Sequence, residues 1–165
     1  MSDACPHNGA DQPSGTDVIR AVDAAAARCA AAGERWTEPR RRTFELLAQA
    51  GRPVKAYDLI ANYGGGKSTK PPTVYRALEF LESQGLAHRL ESMNAYVACA
   101  GGHDHNHSAA FVICECCGAS RELGMDLAQG VRPQAETQGF ALRSVVLEAH
   151  GRCPACTVPN AQSRL

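Results

Sequence analysis

Aromatic side chains are scarce in this chain: one Trp, four Tyr and four Phe among 165 residues, 5% in all. Apolar residues still make up 44%, so cores can form, but they must be mostly aliphatic. No apolar run approaches the roughly 20 residues that a membrane-spanning helix needs. The first 17 residues are polar and acidic with no hydrophobic stretch after them, which argues against a secretory signal and predicts a cytoplasmic protein. No repeat of solenoid length is visible. The strand–helix–strand alternation of a thiol oxidoreductase is missing too. Net charge is also lacking, with 17 basic residues against 17 acidic ones.

That neutrality hides an uneven distribution. Residues 1–34 carry a net −3, residues 35–89 a net +5, and residues 90–165 a net −2. A basic middle in a neutral chain is the pattern of a localised phosphate-binding face rather than of a generally sticky protein.

Cysteine, by contrast, is plentiful: eight residues. Without a secretory signal these read as reduced metal ligands rather than as a disulfide framework. Two Cys-x-x-Cys pairs, Cys114/Cys117 and Cys153/Cys156, supply the four thiolates of a closed tetrahedral structural zinc site. Cys116 competes with Cys114 in the run Cys-Glu-Cys-Cys, but only Cys114/Cys117 leaves the two-residue gap of a knuckle. Cys5 and Cys29 read as spectators. Four thiolates exceed the charge of one zinc, so the knuckles should supply backbone N–H donors, and Gly118 suits that need.

The hydrophobic pattern predicts an α+β protein of two domains. Residues 1–15 read as a disordered tail. Thr16 or Asp17 would cap an Ala-rich helix ending at Gly33. Thr37 would cap a second, with Pro39 in its first turn and Gly51 at its end. A short helix follows around Ala56–Asn62, then a glycine loop at 64–66. A recognition helix over 72–84 has a core stripe of Val74, Ala77, Leu78 and Leu81 at helical spacing. Two strands, Leu86–Leu90 and Ala95–Cys99, turn at Glu91–Asn94. Helices followed by a hairpin give a winged helix-turn-helix over 16–99, with the wing at 86–99. A hinge over 100–106 leads to a small α/β module over 107–157. That module has strands at Phe111–Cys114 and Arg121–Leu123, a broken helix across about 125–138, and a β-rich run at Phe140–Glu148. A tail over 158–165 follows. So small a module should draw stability from metal and dimerisation.

Other potential ligands straddle the hinge: His88, Cys99, His103, His105, His107 and Glu122. Mixed nitrogen, sulfur and oxygen donors suit Zn(II). Spacing alone leaves open whether they form a defined site or a polar loop. Thr73, Tyr75 and Arg76 lie off the apolar stripe at the end of the helix that enters a major groove. The competing reading is local packing of Tyr75 and an Arg76–Glu79 ion pair.

Several runs resemble the successive landmarks of the ferric uptake regulator family: Thr37-Glu-Pro-Arg40, Ala56-Tyr-Asp-Leu59, Pro71-Pro-Thr-Val-Tyr-Arg76, Gly85, Cys-Glu-Cys-Cys-Gly118 and Cys-Pro-Ala-Cys156. Ser92-Met-Asn-Ala-Tyr-Val-Ala-Cys99 and Phe140-Ala-Leu with Glu148-Ala-His-Gly151 are similar to its zinc-sensing branch. The resemblance spans about residues 18–157. It implies a homodimer, joined through the carboxy-terminal domain, that represses zinc-uptake genes by binding double-stranded operator DNA when loaded with zinc. It also implies two Zn2+ per chain, with no enzymatic activity, small-molecule substrate or membrane partner. Carried over by position, His88, Cys99, His107 and Glu122 would hold a sensor zinc, and Cys114, Cys117, Cys153 and Cys156 a structural one. Tyr75 and Arg76 fall where the family reads bases; Thr73, Arg40 and Lys70 are expected, on their placement in the basic middle and the recognition helix, as further DNA contacts. Sister sensors for iron, manganese, nickel or peroxide are the nearest alternatives, and a zinc-dependent hydrolase a remoter one.

Overall fold

The computed structural model describes residues 13–64, 69–99, 108–123, 128–142 and 145–157. The hinge at 100–106, His103, His105, His107, Cys5, Gly65, Gly66 and the 158–165 tail fall outside them. The chain divides into two compact units, one over Asp11–His107 and one that includes Ser108–Leu165.

In the first unit, four helices precede a hairpin: α1 (Gly15–Ala31), α2 (Glu38–Ala50), α3 (Ala56–Ala61), α4 (Pro71–Ser83), β1 (Ala87–Leu90) and β2 (Ala95–Ala98). The first helix starts earlier than its sequence suggested. Ser14, in extended conformation, is its N-cap, and its hydroxyl accepts from the Asp17 N–H at 3.2 Å. The same hydroxyl donates to the Asp17 carboxylate at 2.6 Å. That reciprocal pair satisfies a helix-end donor, which neither Thr16 nor Asp17 does as a cap. Thr37 does cap α2, by backbone conformation and without a side-chain hydrogen bond.

The expected stripe on α4 is the core. Val74, Ala77, Leu78 and Leu81 are all 2% exposed or less, and Phe80 joins them. Val74, Leu78, Phe80 and Leu81 meet Phe44 and Leu47 of α2 and Leu59 of α3 in one cluster, to which α1 adds Val18, Ala25 and Cys29. Arg28, in the last turn of α1, donates to the Gln84 carbonyl at 3.2 Å and so satisfies an end group of α4. Gly85 then takes a left-handed φ of 60°, where a side chain would be strained. The Leu86 N–H folds back onto the Leu81 carbonyl at 2.8 Å, turning the chain sharply from helix into wing. The hairpin pairs Ala87 with Ala98 through to Leu90 with Ala95. Val54 bridges to Tyr96, fixing the α2–α3 connection to the hairpin edge.

The second unit is a three-stranded sheet in the order β4-β3-β5, formed by β3 (Ser108–Cys114), β4 (Ser120–Leu123) and β5 (Val145–Gly151). β4 runs antiparallel to β3, and β5 runs parallel to it. A parallel pair needs a crossover, and α5 (Ala128–Thr137) lies in it. Two expectations shift here. β3 begins at Ser108 because Ser108 through Cys114 find register partners from Val145 to Gly151. Within the β-rich run at 140–148 the strand β5 is described from Val145, and the start of the run is not strand, because the Phe140 N–H is taken by the Ala135 carbonyl at the end of α5. Arg132 likewise donates to the Leu142 carbonyl at 3.0 Å. The second cysteine knuckle is a helical turn, α6 (Pro154–Thr157).

Leu81 is fully buried where α2, α4 and the wing converge. Leu81→Ala should destabilise the first unit by about 2–5 kcal/mol, read as a lowered urea midpoint with an unchanged slope.

Candidate metal centre and nucleic-acid interface

Neighbouring strand ends create the sulfur cluster. Cys114 closes β3, and Cys153 follows two residues after β5 pairs with it. The Glu115 N–H donates to the Gly151 carbonyl at 2.9 Å, fastening the two ends. Gly118, at a φ of 71°, lets the chain reverse so that its N–H reaches the Cys114 carbonyl at 2.8 Å. The turn brings Cys117 back beside Cys114, and the first turn of α6 does the same for Cys156 beside Cys153. The sulfurs of Cys114, Cys117, Cys153 and Cys156 consequently lie within 4.8 Å of one another.

These four residues fit zinc. Zn–S bonds of about 2.3 Å in a tetrahedron place sulfurs about 3.8 Å apart. The Cys117 and Cys153 sulfurs are 3.8 Å apart, far beyond the roughly 2.05 Å of a disulfide. The Cys153 N–H points at the Cys114 sulfur at 3.3 Å. That bond, helped by the Cys117 N–H, lowers the Cys114 thiol to about 6, although burial opposes it. At Cys117 the Ala119 N–H acts in the same direction. There the neighbouring Cys114 sulfur and burial outweigh it and raise the thiol. One sulfur is thus ready as a thiolate, while a second must surrender its proton to a metal. Cys116 is exposed and outside the cluster, and Cys29 is buried in the first unit's core.

The other candidate ligands are placed unit by unit. In the first, a ring nitrogen of His88 and the sulfur of Cys99 lie within 4.8 Å of each other. His88 on β1 is 6% exposed. Cys99 is half-buried just after β2, and its N–H bonds the Leu86 carbonyl at 2.9 Å. In the second, Glu122 is half-buried on β4, opposite Phe111 of β3. His107 lies outside the described residues.

On α4, Tyr75 is 47% exposed and Arg76 is also exposed, with Thr73 partly so; Lys70 is the exposed N-cap. Among the described residues no Arg76–Glu79 ion pair forms. Arg40 is engaged elsewhere: its guanidinium lies 3.3 Å from the Phe80 ring centroid and donates to the Arg35 carbonyl. It braces α2 against the inner side of α4. Tyr57, 77% exposed on α3, is a candidate contact residue that the sequence pattern did not bring forward. Its signal was the burial of Ala56 and Leu59, three residues apart, which turns Tyr57 outward.

A winged helix followed by a four-cysteine unit defines the class, a two-domain metal-site protein with a helix-turn-helix. A profile of the ferric uptake regulator family matches residues 31–150. The zinc uptake regulation protein of Escherichia coli (strain K12) is 41% identical over 133 residues, covering 78% of this chain and 76% of the relative. Among solved structures, a zinc uptake regulator complexed with zinc and DNA aligns with a TM-score of 0.76 and 38% identity, over 84% of this chain and 94% of that one. Holo XcZur aligns with a TM-score of 0.73 and 40% identity, over 82% and 95%. The chain belongs to the ferric uptake regulator family.

Because Cys117 must lose a proton on metal binding, zinc affinity at the cluster should rise with pH. The rise should be steeper below about 6, where Cys114 also protonates. Competition with a chromophoric chelator across pH 5–8 reads this. Cys114→Ser should loosen the second unit, seen as faster amide exchange on β3 and β5.

Proposed function

We propose that this protein is a zinc-responsive transcriptional regulator that binds operator DNA as a homodimer and represses genes of zinc uptake. The observation carrying this reading is where the His88–Cys99 pair sits. Cys99 is hydrogen-bonded to Leu86, and Leu86 leaves the end of α4 through the tight turn at Gly85. A ligand pair at the wing root is therefore coupled by backbone to the helix that would read DNA. The relatives' names, with zinc and DNA in one of them, support the reading.

In this account the four clustered cysteines hold a structural zinc, whose binding energy is folding energy on the order of 10 kcal/mol. His88 and Cys99 hold a second, regulatory zinc together with His107 and Glu122. A zinc held by these residues would cross-link donors that precede and follow residues 100–106 in the chain. His88 contributes a neutral imidazole and Cys99 a thiolate, and a thiolate favours zinc over harder metals. Tethering these side chains limits the motion of the wing and α4, so less ordering remains for DNA to impose. Linkage makes the effect mutual: operator DNA raises zinc affinity by the same factor, typically 5–150-fold or about 1–3 kcal/mol.

Thr73, Tyr75 and Arg76 form the reading edge, with Arg76 suited to a bidentate bond to guanine and Lys70 to a phosphate. Tyr57 extends the same exposed surface from α3. Arg40 supports α4 from behind through Phe80. The 16–99 segment is the DNA-binding domain and the 107–157 segment the dimerisation domain.

Cys99→Ser should keep the fold and the dimer but lose the zinc dependence of DNA binding. A normal zinc response in that variant would remove Cys99 from the site. Arg76→Ala should cost about 1–3 kcal/mol per half-site of the operator and flatten preference at one base position in each. An unchanged target profile by selection from random duplexes would make Arg76 a bystander.

A further inference from the structure

The densest basic run of the chain, Arg40-Arg41-Arg42, looks like its phosphate footprint. The side chains say otherwise. Arg41 clasps Glu38 with both arms of its fork, at 3.0 and 3.1 Å, and also reaches Glu45 at 3.6 Å. That grip lowers the Glu38 carboxyl and raises the Arg41 guanidinium further. Arg42 donates to the Glu45 carboxylate at 3.1 Å and to the Tyr63 carbonyl at 2.9 Å. Arg40 faces Phe80 and lies 3.9 Å from Glu34. Arg89 on the wing pairs with Glu91 at 3.2 Å. Each of these cations is already neutralised or committed to packing, so its release to a phosphate would first break an internal contact.

Arg52, Lys55, Lys70 and Arg76 differ. All four are exposed, and among the described residues none makes an ion pair. They are also placed together in the fold. Arg52 and Lys55 flank the connection that Val54 bonds to the wing. Lys55 opens α3, Lys70 opens α4, and the two helices pack on each other. Arg76 lies in the second turn of α4, on the side opposite its buried stripe.

Resting on the DNA-binding reading above, we infer that Arg52, Lys55, Lys70 and Arg76 form the phosphate- and base-contacting cation set. The arginines of α2 are braces, paired or packed within their own unit, that contribute no counterion release. Phosphate contacts made by free cations displace condensed counterions and set the slope of log affinity against log salt, about 0.9 for each contact on duplex DNA. A cation already paired inside the protein adds nothing to that slope.

The test is the salt dependence of binding to a zinc-selected duplex, by fluorescence anisotropy from 0.05 to 0.3 M NaCl at saturating zinc. Lys55→Gln, Lys70→Gln and Arg52→Gln should each lower the slope by about 1.8, the share of two phosphates, because each residue occurs twice in the homodimer. Arg41→Gln, at an exposed position that keeps the helix, should leave it unchanged. A slope that falls in Arg41→Gln as much as in Lys70→Gln overturns the assignment, as does an unchanged slope in both Lys55→Gln and Lys70→Gln. A wild-type protein that binds no duplex at any salt overturns the DNA-binding reading itself, which the Lys variants alone do not.

Discussion

Mutual repulsion among four sulfurs is the constraint around which the second unit is organised. Like charges about 4 Å apart repel by about 4 kcal/mol at an effective dielectric near 20. A cluster within 4.8 Å cannot ionise fully without a cation among its members. Backbone N–H donors take up part of that charge, most of all at Cys114. A divalent ion of tetrahedral preference held by the four sulfurs would offset two of the four charges. The described sheet has only three strands, the parallel pair depends on a distant crossover, and Pro133 interrupts the hydrogen-bond ladder of α5. Closure at the far ends of β3 and β5 is what such a sheet otherwise lacks.

The first unit follows a different logic. Its helices bury one continuous aliphatic stripe, so α4 cannot rotate without exposing Val74, Leu78 and Leu81. That burial fixes which residues face outward. The Gly85 turn and the bond from Cys99 to Leu86 then tie α4 to the wing. Metal ligands at the wing and reading residues on α4 are two ends of one short, stiff connection. The arginines of α2 serve this framework too, since Arg40 lies against Phe80 on the inner side of the same helix.

Much of this was legible in the sequence because it rests on local rules. The stripe on α4, the glycine at its end, the hairpin and both knuckles follow from periodicity and turn chemistry. The start of α1 did not, because Ser14, Thr16 and Asp17 all have cap-forming side chains and only the Ser14–Asp17 exchange decides. The bounds of β3 and β5 were missed for a different reason: parallel pairing joins residues about 37 apart, as Ser108 and Val145 show, and no local pattern marks that register. The roles of the arginines were also hidden. Counting charge treats Arg40, Arg41, Arg42, Lys55 and Lys70 alike, whereas their partners separate them.

On the function proposed above, zinc governs sequence-selective DNA binding. The most direct test of that claim is retention of genomic DNA fragments by the purified protein across buffered free zinc at one fixed salt concentration. A few fragments should be retained only above a zinc threshold. Equal retention of those fragments with and without zinc would contradict the claim, as would the absence of any selected fragment at every zinc level.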